Sequence, residues 1–367
     1  VHPPKRFLFG PGPSQVHDRV YQAMAQPVVG HLDAYFFEIS TGIKQMLCRV
    51  FGTQNELTFV ISGTGSAGME TAITNFVDAD TKAVVFANGY FCDRMSEMAK
   101  RQGANVVRFE KPWGEHFGDE EAAAFIRREK PQVVMYVTAE TSTGVFQRGE
   151  AICRAAREVG AIVIADCVTS LGAMPVEVDK TGIDVAYSCT QKGLSCPPGL
   201  SPITVSPRAA ELLKHRTRAC RSWYFDIGLI ADYLMVSHRY HHTASATMFY
   251  ALFEALSLIE EEGLENRWER HRQAHLGFTR QVEAMGLDML VPEGHRIWNL
   301  NTPRIPEGVD DAKVRAILLK EHGIEIAGGF GPLAGKIFRI GLMGPLATPE
   351  HVGEFLTHFG GALGQAK

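Results

Sequence analysis

Asp166 closes the apolar run Ala161-Ile162-Val163-Ile164-Ala165. Lys192 follows the next strand-like run, in Tyr187-Ser188-Cys189-Thr190-Gln191-Lys192-Gly193, just before the rigid turn Pro197-Pro198-Gly199. An acid at the carboxyl end of a buried strand sits where ligands bind in open α/β sheets. Leaving it unpaired costs on the order of several kcal/mol, so it calls for a cation, and a protonated pyridine nitrogen would serve. The plainer reading is an aspartate that caps the following turn. A lysine in a partly desolvated pocket has a lowered pKa and can attack a carbonyl to form a Schiff base. Without its context, Lys192 would read as a solvated lysine after a strand.

The context comes from four other segments. Ile61-Ser62-Gly63-Thr64-Gly65-Ser66-Ala67-Gly68 runs a strand into glycines and hydroxyls that open a helix, and the exposed N–H groups of such a start suit a phosphate. It is neither a Walker motif nor a dinucleotide fingerprint, and a tight capped turn is the competing reading. Asn88-Gly89-Tyr90-Phe91 follows a strand and offers an aromatic ring to lie flat on a planar cofactor. Glu140-Thr141-Ser142-Thr143-Gly144 offers hydroxyls for a phenolic oxygen. Phe338-Arg339-Ile340-Gly341 sets an arginine inside an apolar strand, where it needs an anion, and a substrate carboxylate would fit bidentately. Singly, each also reads as core packing, turn capping or a structural ion pair. Together they are the types expected around a planar, phosphorylated aldehyde that exchanges an amino group.

Elements to position these residues are legible along the chain. Leu57 to Ile61, Ala83 to Ala87, Asn105 to Phe109, Gln132 to Thr138, Ala161 to Asp166, Asp184 to Ser188 and Ile203 to Ser206 read as strands. Ser66 to Phe76, Phe91 to Gln102, Asp119 to Arg128 and Ala151 to Val159 read as the helices between them. Continuously apolar strands suit a mostly parallel sheet covered on both faces. Past Ala246 come helices over Met248 to Glu262 and Leu264 to Met285, then a smaller αβ pattern. Its strands are expected at Asp288 to Val291, Ile297 to Asn301 and Lys336 to Gly341, and its helices at Asp311 to Glu321 and Pro349 to Phe359. The expected organisation is an N-terminal arm (1–20), a large domain (21–260) and a small C-terminal α/β domain (261–367).

The 367 residues carry a formal charge of −4, with 37 Lys+Arg against 41 Asp+Glu, which leaves no basic footprint for nucleic acid or a membrane surface. The start Val1-His2-Pro3-Pro4-Lys5-Arg6 lacks the apolar stretch of a signal peptide, and no apolar run reaches the roughly 20 residues of a membrane helix. Seven scattered cysteines without a C-x-x-C pair fit reduced thiols. A cytoplasmic setting is the expectation, with a peroxisome or other organelle left open. His271 and His275, four apart among Arg267, Glu269, Arg270 and Arg272, read as a solvated helix face, and no metal site is expected. Cys167 and Cys189 read as buried packing residues, and Tyr35-Phe36-Phe37 as core or subunit interface.

Gly10-Pro11-Gly12-Pro13-Ser14, Ser62 to Ser66, Glu140 to Gly144, Asp166-Cys167-Val168-Thr169-Ser170, Thr190-Gln191-Lys192, Tyr240-His241-His242-Thr243 and Arg339-Ile340-Gly341, in this order over nearly the whole chain, resemble the class V, fold type I aminotransferases dependent on pyridoxal 5'-phosphate (PLP). Within that class the resemblance is strongest to alanine-glyoxylate and serine-glyoxylate (serine-pyruvate) aminotransferases. It implies a large domain with a mostly parallel seven-stranded sheet, a smaller C-terminal α/β domain, and a homodimer with shared active sites.

The resemblance also implies roles for single residues. Lys192 would anchor PLP covalently and Asp166 would pair with its ring nitrogen. Val168 and Phe91 would pack on opposite ring faces, and Thr141 would meet the phenolic oxygen. Gly65, Ser66 and Gln191 would hold the phosphate, completed by Tyr240 and Thr243 of the neighbouring subunit. Arg339, Ser170 and the backbone of Gly12 would bind the substrate carboxylate. The mammalian-type enzymes carry tryptophan where Phe91 stands and histidine where Ser66 stands.

The expected reaction moves an amino group from alanine or serine to glyoxylate or pyruvate. Arg339 is the one arginine assigned to the cleft, while Arg216, Arg218 and Arg221 are unplaced and keep a dicarboxylate donor such as aspartate open. An aminoethylphosphonate transaminase and a non-catalytic dimeric scaffold of the same fold also stay open. A cysteine desulfurase would need a cysteine in the C-terminal domain, and none follows Cys220.

Overall fold

The computed structural model describes residues 2–367. Its centre is a seven-stranded sheet of β1 (Leu57–Ser62), β2 (Lys82–Ala87), β3 (Asn105–Glu110), β4 (Val133–Val137), β5 (Ile162–Asp166), β6 (Val185–Tyr187) and β7 (Leu200–Val205). All seven expected strands take part, in the order β1-β7-β6-β5-β4-β2-β3. β7 runs antiparallel to both its neighbours, and the other pairings are parallel. The β4 and β5 side chains are buried on both faces, as continuous Val/Ile runs require in a sheet covered on both sides.

Helices pack against this sheet. They include α1 (Ala34–Phe51), α2 (Gly65–Phe76) and α3 (Tyr90–Arg101), while α4 (Ala246–Glu262) packs on α1 and α5 (Leu264–Ala284) on the C-terminal helix Pro349–Gln365. Helix α1 is not among the expected elements. Its signals are Asp33, whose side chain accepts from the Tyr35 N–H, and a buried stripe of Phe36, Ile43, Leu47 and Val50 at helical spacing. Phe36 is fully buried while Tyr35 is exposed, so the aromatic run divides between core and surface.

Two large hydrophobic clusters follow the chain, with a small third one of Ala139, Met174, Ile297 and Leu300. One takes in the seven-stranded sheet and ends at Ile259 of α4. The other joins Ala274, Phe278 and Val282 of α5 to Phe338, Ile340, Phe355 and Phe359. Between α4 and α5 stands Gly263, at φ +81. Phe9 belongs to the second cluster and Val16 to the first, so the N-terminal segment bridges them. Phe7–Leu8 pairs in parallel with Ile324–Glu325, and a helix over Asp18–Met24 straddles the expected end of the arm.

The smaller sheet orders Leu300–Asn301, Phe338–Gly341 and Ala327–Gly328. Asp288 to Val291 forms no strand, only an isolated bridge from Met289 to Pro303, and Ile297 to Asn301 shortens to its last two residues. In both, backbone donors go to loops, Leu290 N–H to Thr302 O and Ile297 N–H to Gly144 O. Among the described residues no helix is long and apolar enough to cross a membrane.

His271 and His275 correct the expectation of a solvated face, because both are buried. His271 Nδ1 bonds Arg267 O at 2.8 Å and its Nε2 accepts from the Gly344 N–H at 3.1 Å. His275 Nδ1 meets Asn301 Oδ1 at 2.7 Å. The surrounding charges mislead because Arg267 and Arg270 are themselves turned inward onto Glu262.

Candidate active site

The carboxyl end of β5 and the loop after β6 bring Asp166 and Lys192 close enough for their charges to interact. Asp166 ends β5 with its side chain enclosed. Its Oδ1 accepts from the Val168 N–H and its Oδ2 from the Tyr187 hydroxyl, each at 2.8 Å. Burial pushes its carboxyl up to about 7, against the pull of those two hydrogen bonds. It is an acid placed for a cation that no nearby side chain supplies as an ion pair.

Lys192 lies beyond β6 in a loop held by the N-terminal segment. Ser14 donates its hydroxyl to Lys192 O and its N–H to Gln191 O, each at 2.9 Å. Lys192 Nζ donates to Pro11 O. The same segment passes beside the strand that carries Arg339, since the Gly341 N–H donates to Phe9 O at 2.7 Å. A Cβ on Gly341 would stand 2.0 Å from Gly10 O, so a glycine is required at this crossing. Burial holds Lys192 below its ordinary pKa, and the positive charge of Arg339 adds to the depression.

Arg339, on the strand Phe338–Gly341, donates Nε to Gly328 O at 2.8 Å and lies with Cζ 4.3 Å from the Phe330 ring centroid. Among the described residues it has no ion-pair partner, and burial pushes its guanidinium down to about 10. Its remaining N–H donors are free for an anion. Ser170, expected at the same carboxylate, lies deeper. It is fully buried and its hydroxyl is engaged by Thr138 Oγ1 at 2.7 Å. Thr169, the residue before it, meets Thr141 hydroxyl to hydroxyl instead.

Gly65 opens α2 and a Cβ on it would stand 3.0 Å from Val168 and 3.2 Å from Cys189, so the helix start, Val168 and the Lys192 loop pack together. Ser66 is the second residue of α2. The buried Oε1 of Gln191 has no hydrogen-bond partner. Phe91 and Val168 are both partly buried against the main cluster. Tyr240 and Thr243 lie side by side and exposed, 3.5 Å apart at their oxygens, while His241 and His242 between them turn inward.

Two residues with a part in the site escape the sequence reading. Glu140, which stands out in the sequence only for the hydroxyls that follow it, is itself fully buried. It accepts from the backbone N–H of Phe91 at 3.1 Å, of Cys92 at 3.3 Å and of Ser142 at 3.1 Å, and from the Ser142 hydroxyl at 2.6 Å. A carboxylate at the start of α3 meets the unpaired N–H groups and the positive end of the helix dipole, and burial raises its pKa. Arg94 is legible from spacing, standing three and four residues after Phe91 and Tyr90 on one helix face, with its Nη1 donating to Ser66 Oγ at 2.8 Å.

The arginines without an assigned place lie elsewhere. Arg216 pairs with Asp226 and donates to Asn75, and Arg218 pairs with Asp80. Arg221 lines the same surface depression as Thr74 and Asn75. That is the far end of α2 from Gly65, about 15 Å along the helix. Cys167 and Cys189 are enclosed, and burial pushes the Cys189 thiol up to about 12, so both behave as packing residues.

The arrangement also has known counterparts. Residues 6–335 match the family model described as Aminotransferase class-V. The chain is 38% identical to the (S)-ureidoglycine–glyoxylate transaminase of Bacillus subtilis, over 95% of this chain and 88% of that protein. It is 35% identical to the alanine–glyoxylate aminotransferase of Drosophila melanogaster, over 100% and 94%. The crystal structure of an alanine–glyoxylate aminotransferase from Nostoc sp. superposes with a TM-score of 0.97 at 43% identity, covering 99% of this chain and 96% of that one. With a lysine, a buried acid and an arginine free for an anion set in one cleft of this fold, the chain belongs to the class V aminotransferases.

Proposed function

We propose that this protein binds PLP and transfers the amino group of a small amino acid, alanine or serine, to glyoxylate, with pyruvate as the other acceptor, acting as a homodimer with shared sites. Three features fit the cofactor: a buried acid without a cation, a lysine with a lowered pKa, and a helix start at Gly65. When bound, PLP supplies an electron sink for the charge left on Cα. Lys192 anchors the aldehyde and, once released, holds and moves the proton at Cα. Asp166 keeps the ring nitrogen protonated. Phe91 and Val168 confine the ring and Thr141 contacts its phenolic oxygen. Gly65, Ser66 and Gln191 hold the phosphate, joined by Tyr240 of the partner subunit and Thr243 of the partner subunit.

The observation that carries the substrate class is Arg339, the guanidinium beside Lys192 that is free to take a carboxylate. With the backbone of Gly12 it orients the α-carboxylate. Arg216 and Arg218 are paired at the far end of α2, and Arg94 bonds Ser66 at the helix start read as the phosphate site, so none of these three is assigned to a distal carboxylate. Glyoxylate is the acceptor in the names of the relatives described above. A second reading, (S)-ureidoglycine as donor, is favoured by the Bacillus subtilis relative. Free thiols at all seven cysteines accord with a reducing, cytoplasm-like compartment.

The deciding experiment screens alanine, serine, (S)-ureidoglycine, aspartate, glutamate and aminoethylphosphonate against glyoxylate, pyruvate and 2-oxoglutarate. Alanine or serine with glyoxylate is the expected best pair. A clear preference for aspartate or glutamate contradicts the assignment, and turnover of ureidoglycine alone selects the second reading.

A further inference from the structure

Arg94 is a half-buried guanidinium that has no ion-pair partner among the described residues. The acids on its own helix are used elsewhere, Asp93 by Arg108 and Glu97 by Arg101. Its Cζ lies 4.9 Å from the centroid of the Phe91 ring and 5.2 Å from that of Tyr90, so two aromatic faces hold the cation in place without a salt bridge. Its one hydrogen bond runs to Ser66 Oγ.

The direction of that bond is fixed, because a guanidinium has donors and no acceptor. Ser66 Oγ therefore accepts from Arg94 and keeps its own proton to give. No protein acceptor takes that proton among the described residues, and Ser66 sits in the first turn of α2, beside the unpaired N–H groups of the helix start. A hydroxyl that accepts from a cation while donating outward is a polarised donor, suited to an anionic oxygen.

We propose that Arg94 is a positioning residue for the cofactor phosphate: it sets the Ser66 hydroxyl to donate into the phosphate site and passes positive charge to the dianion through it. The inference rests on the reading of Gly65 and Ser66 as the phosphate site. It also gives Ser66 and the ring-stacking Phe91 a common anchor, since the Arg94 side chain spans from α3 to α2.

The test compares dissociation constants for PLP and for pyridoxal, which has the same ring and aldehyde but no phosphate. They are measured by absorbance on the cofactor-free forms of the parent, Arg94→Gln, Arg94→Lys, Ser66→Ala and the Arg94→Gln/Ser66→Ala double variant. Arg94→Gln should weaken PLP about ten-fold, the effect expected for one charge-assisted hydrogen bond, and leave pyridoxal nearly unchanged. The double variant should lose no more than the worse single one, and Arg94→Lys should recover part of the loss. Equal weakening of PLP and pyridoxal by Arg94→Gln, or additive losses in the double variant, would overturn the proposal. Ser66→Ala guards against a misfolded arginine variant, because an unchanged preference for PLP over pyridoxal in it is equally fatal. A parent that does not prefer PLP to pyridoxal would instead refute the phosphate site itself.

Discussion

Gly12 is in contact with Lys192: a Cβ built on Gly12 would stand 2.1 Å from Lys192 Nζ and 2.8 Å from its Cδ and Cε. The N-terminal segment and Lys192 thus share one space, and the missing side chain at Gly12 is what leaves room for the amine.

Gly12→Ala should therefore lose cofactor. Besides the clash, the φ of +118 at Gly12 is a conformation that costs an L residue about 1–3 kcal/mol, so the melting temperature should drop too. Visible absorbance after gel filtration reads the first effect. A variant that retains PLP as the parent does would mean that the segment moves aside freely.

Asp166 gives the cofactor-free protein a pH dependence of known sign. Its folded value of about 7 lies above the ordinary 3.8, so through that interval the folded chain binds more protons than the unfolded one, and stability falls as pH rises. Stabilisation by PLP, which brings the ring-nitrogen cation, should be larger at the upper end of that window than at the lower. Asp166→Asn should flatten both trends in thermal melts, and identical pH profiles for the two proteins would contradict this account.

Glu140→Gln replaces an all-acceptor group by one acceptor and one donor facing the N–H groups of Phe91 and Cys92. Leaving a buried donor unsatisfied costs about 1–3 kcal/mol, measurable as a lower denaturation midpoint. Because those N–H groups open the helix that carries Phe91, the visible circular dichroism of bound PLP should weaken as well. No change in either quantity would sink the positioning role.

Much of this is legible in the sequence because it depends on local order. Continuous apolar runs ending in Asp166 or leading to Lys192 mark strands buried on both faces, and glycines at 63 and 65 mark a helix start. What the sequence hides depends on tertiary partners. Nothing local distinguishes Ser170, locked onto Thr138, from Thr169, which meets Thr141. His271 and His275 look solvated because the arginines around them turn inward, and Glu140 is overshadowed by the hydroxyls that follow it. The short strand at Leu300–Asn301 reads too long because its apolar neighbours pair with loops.

Tyr240 and Thr243 are exposed, and if they complete a neighbouring subunit's phosphate site, hybrid dimers must show it. Lys192→Ala and Tyr240→Ala proteins, each impaired alone, should regain activity when mixed and re-dimerised, since each hybrid has one site with both residues intact. Absence of any recovery, with hybrids verified by tag exchange, would place Tyr240 outside the partner's site.

The role proposed for Lys192 is to carry the amino-group transfer between small monocarboxylic substrates. Its most direct measurement is the rate of glycine formation from glyoxylate with alanine or serine as donor, in the parent and in Lys192→Ala, both saturated with PLP. The parent should turn over and the variant should be slower by on the order of 10²–10⁴-fold, the usual contribution of a general acid–base group. Glycine formation by Lys192→Ala at the parental rate would contradict that role.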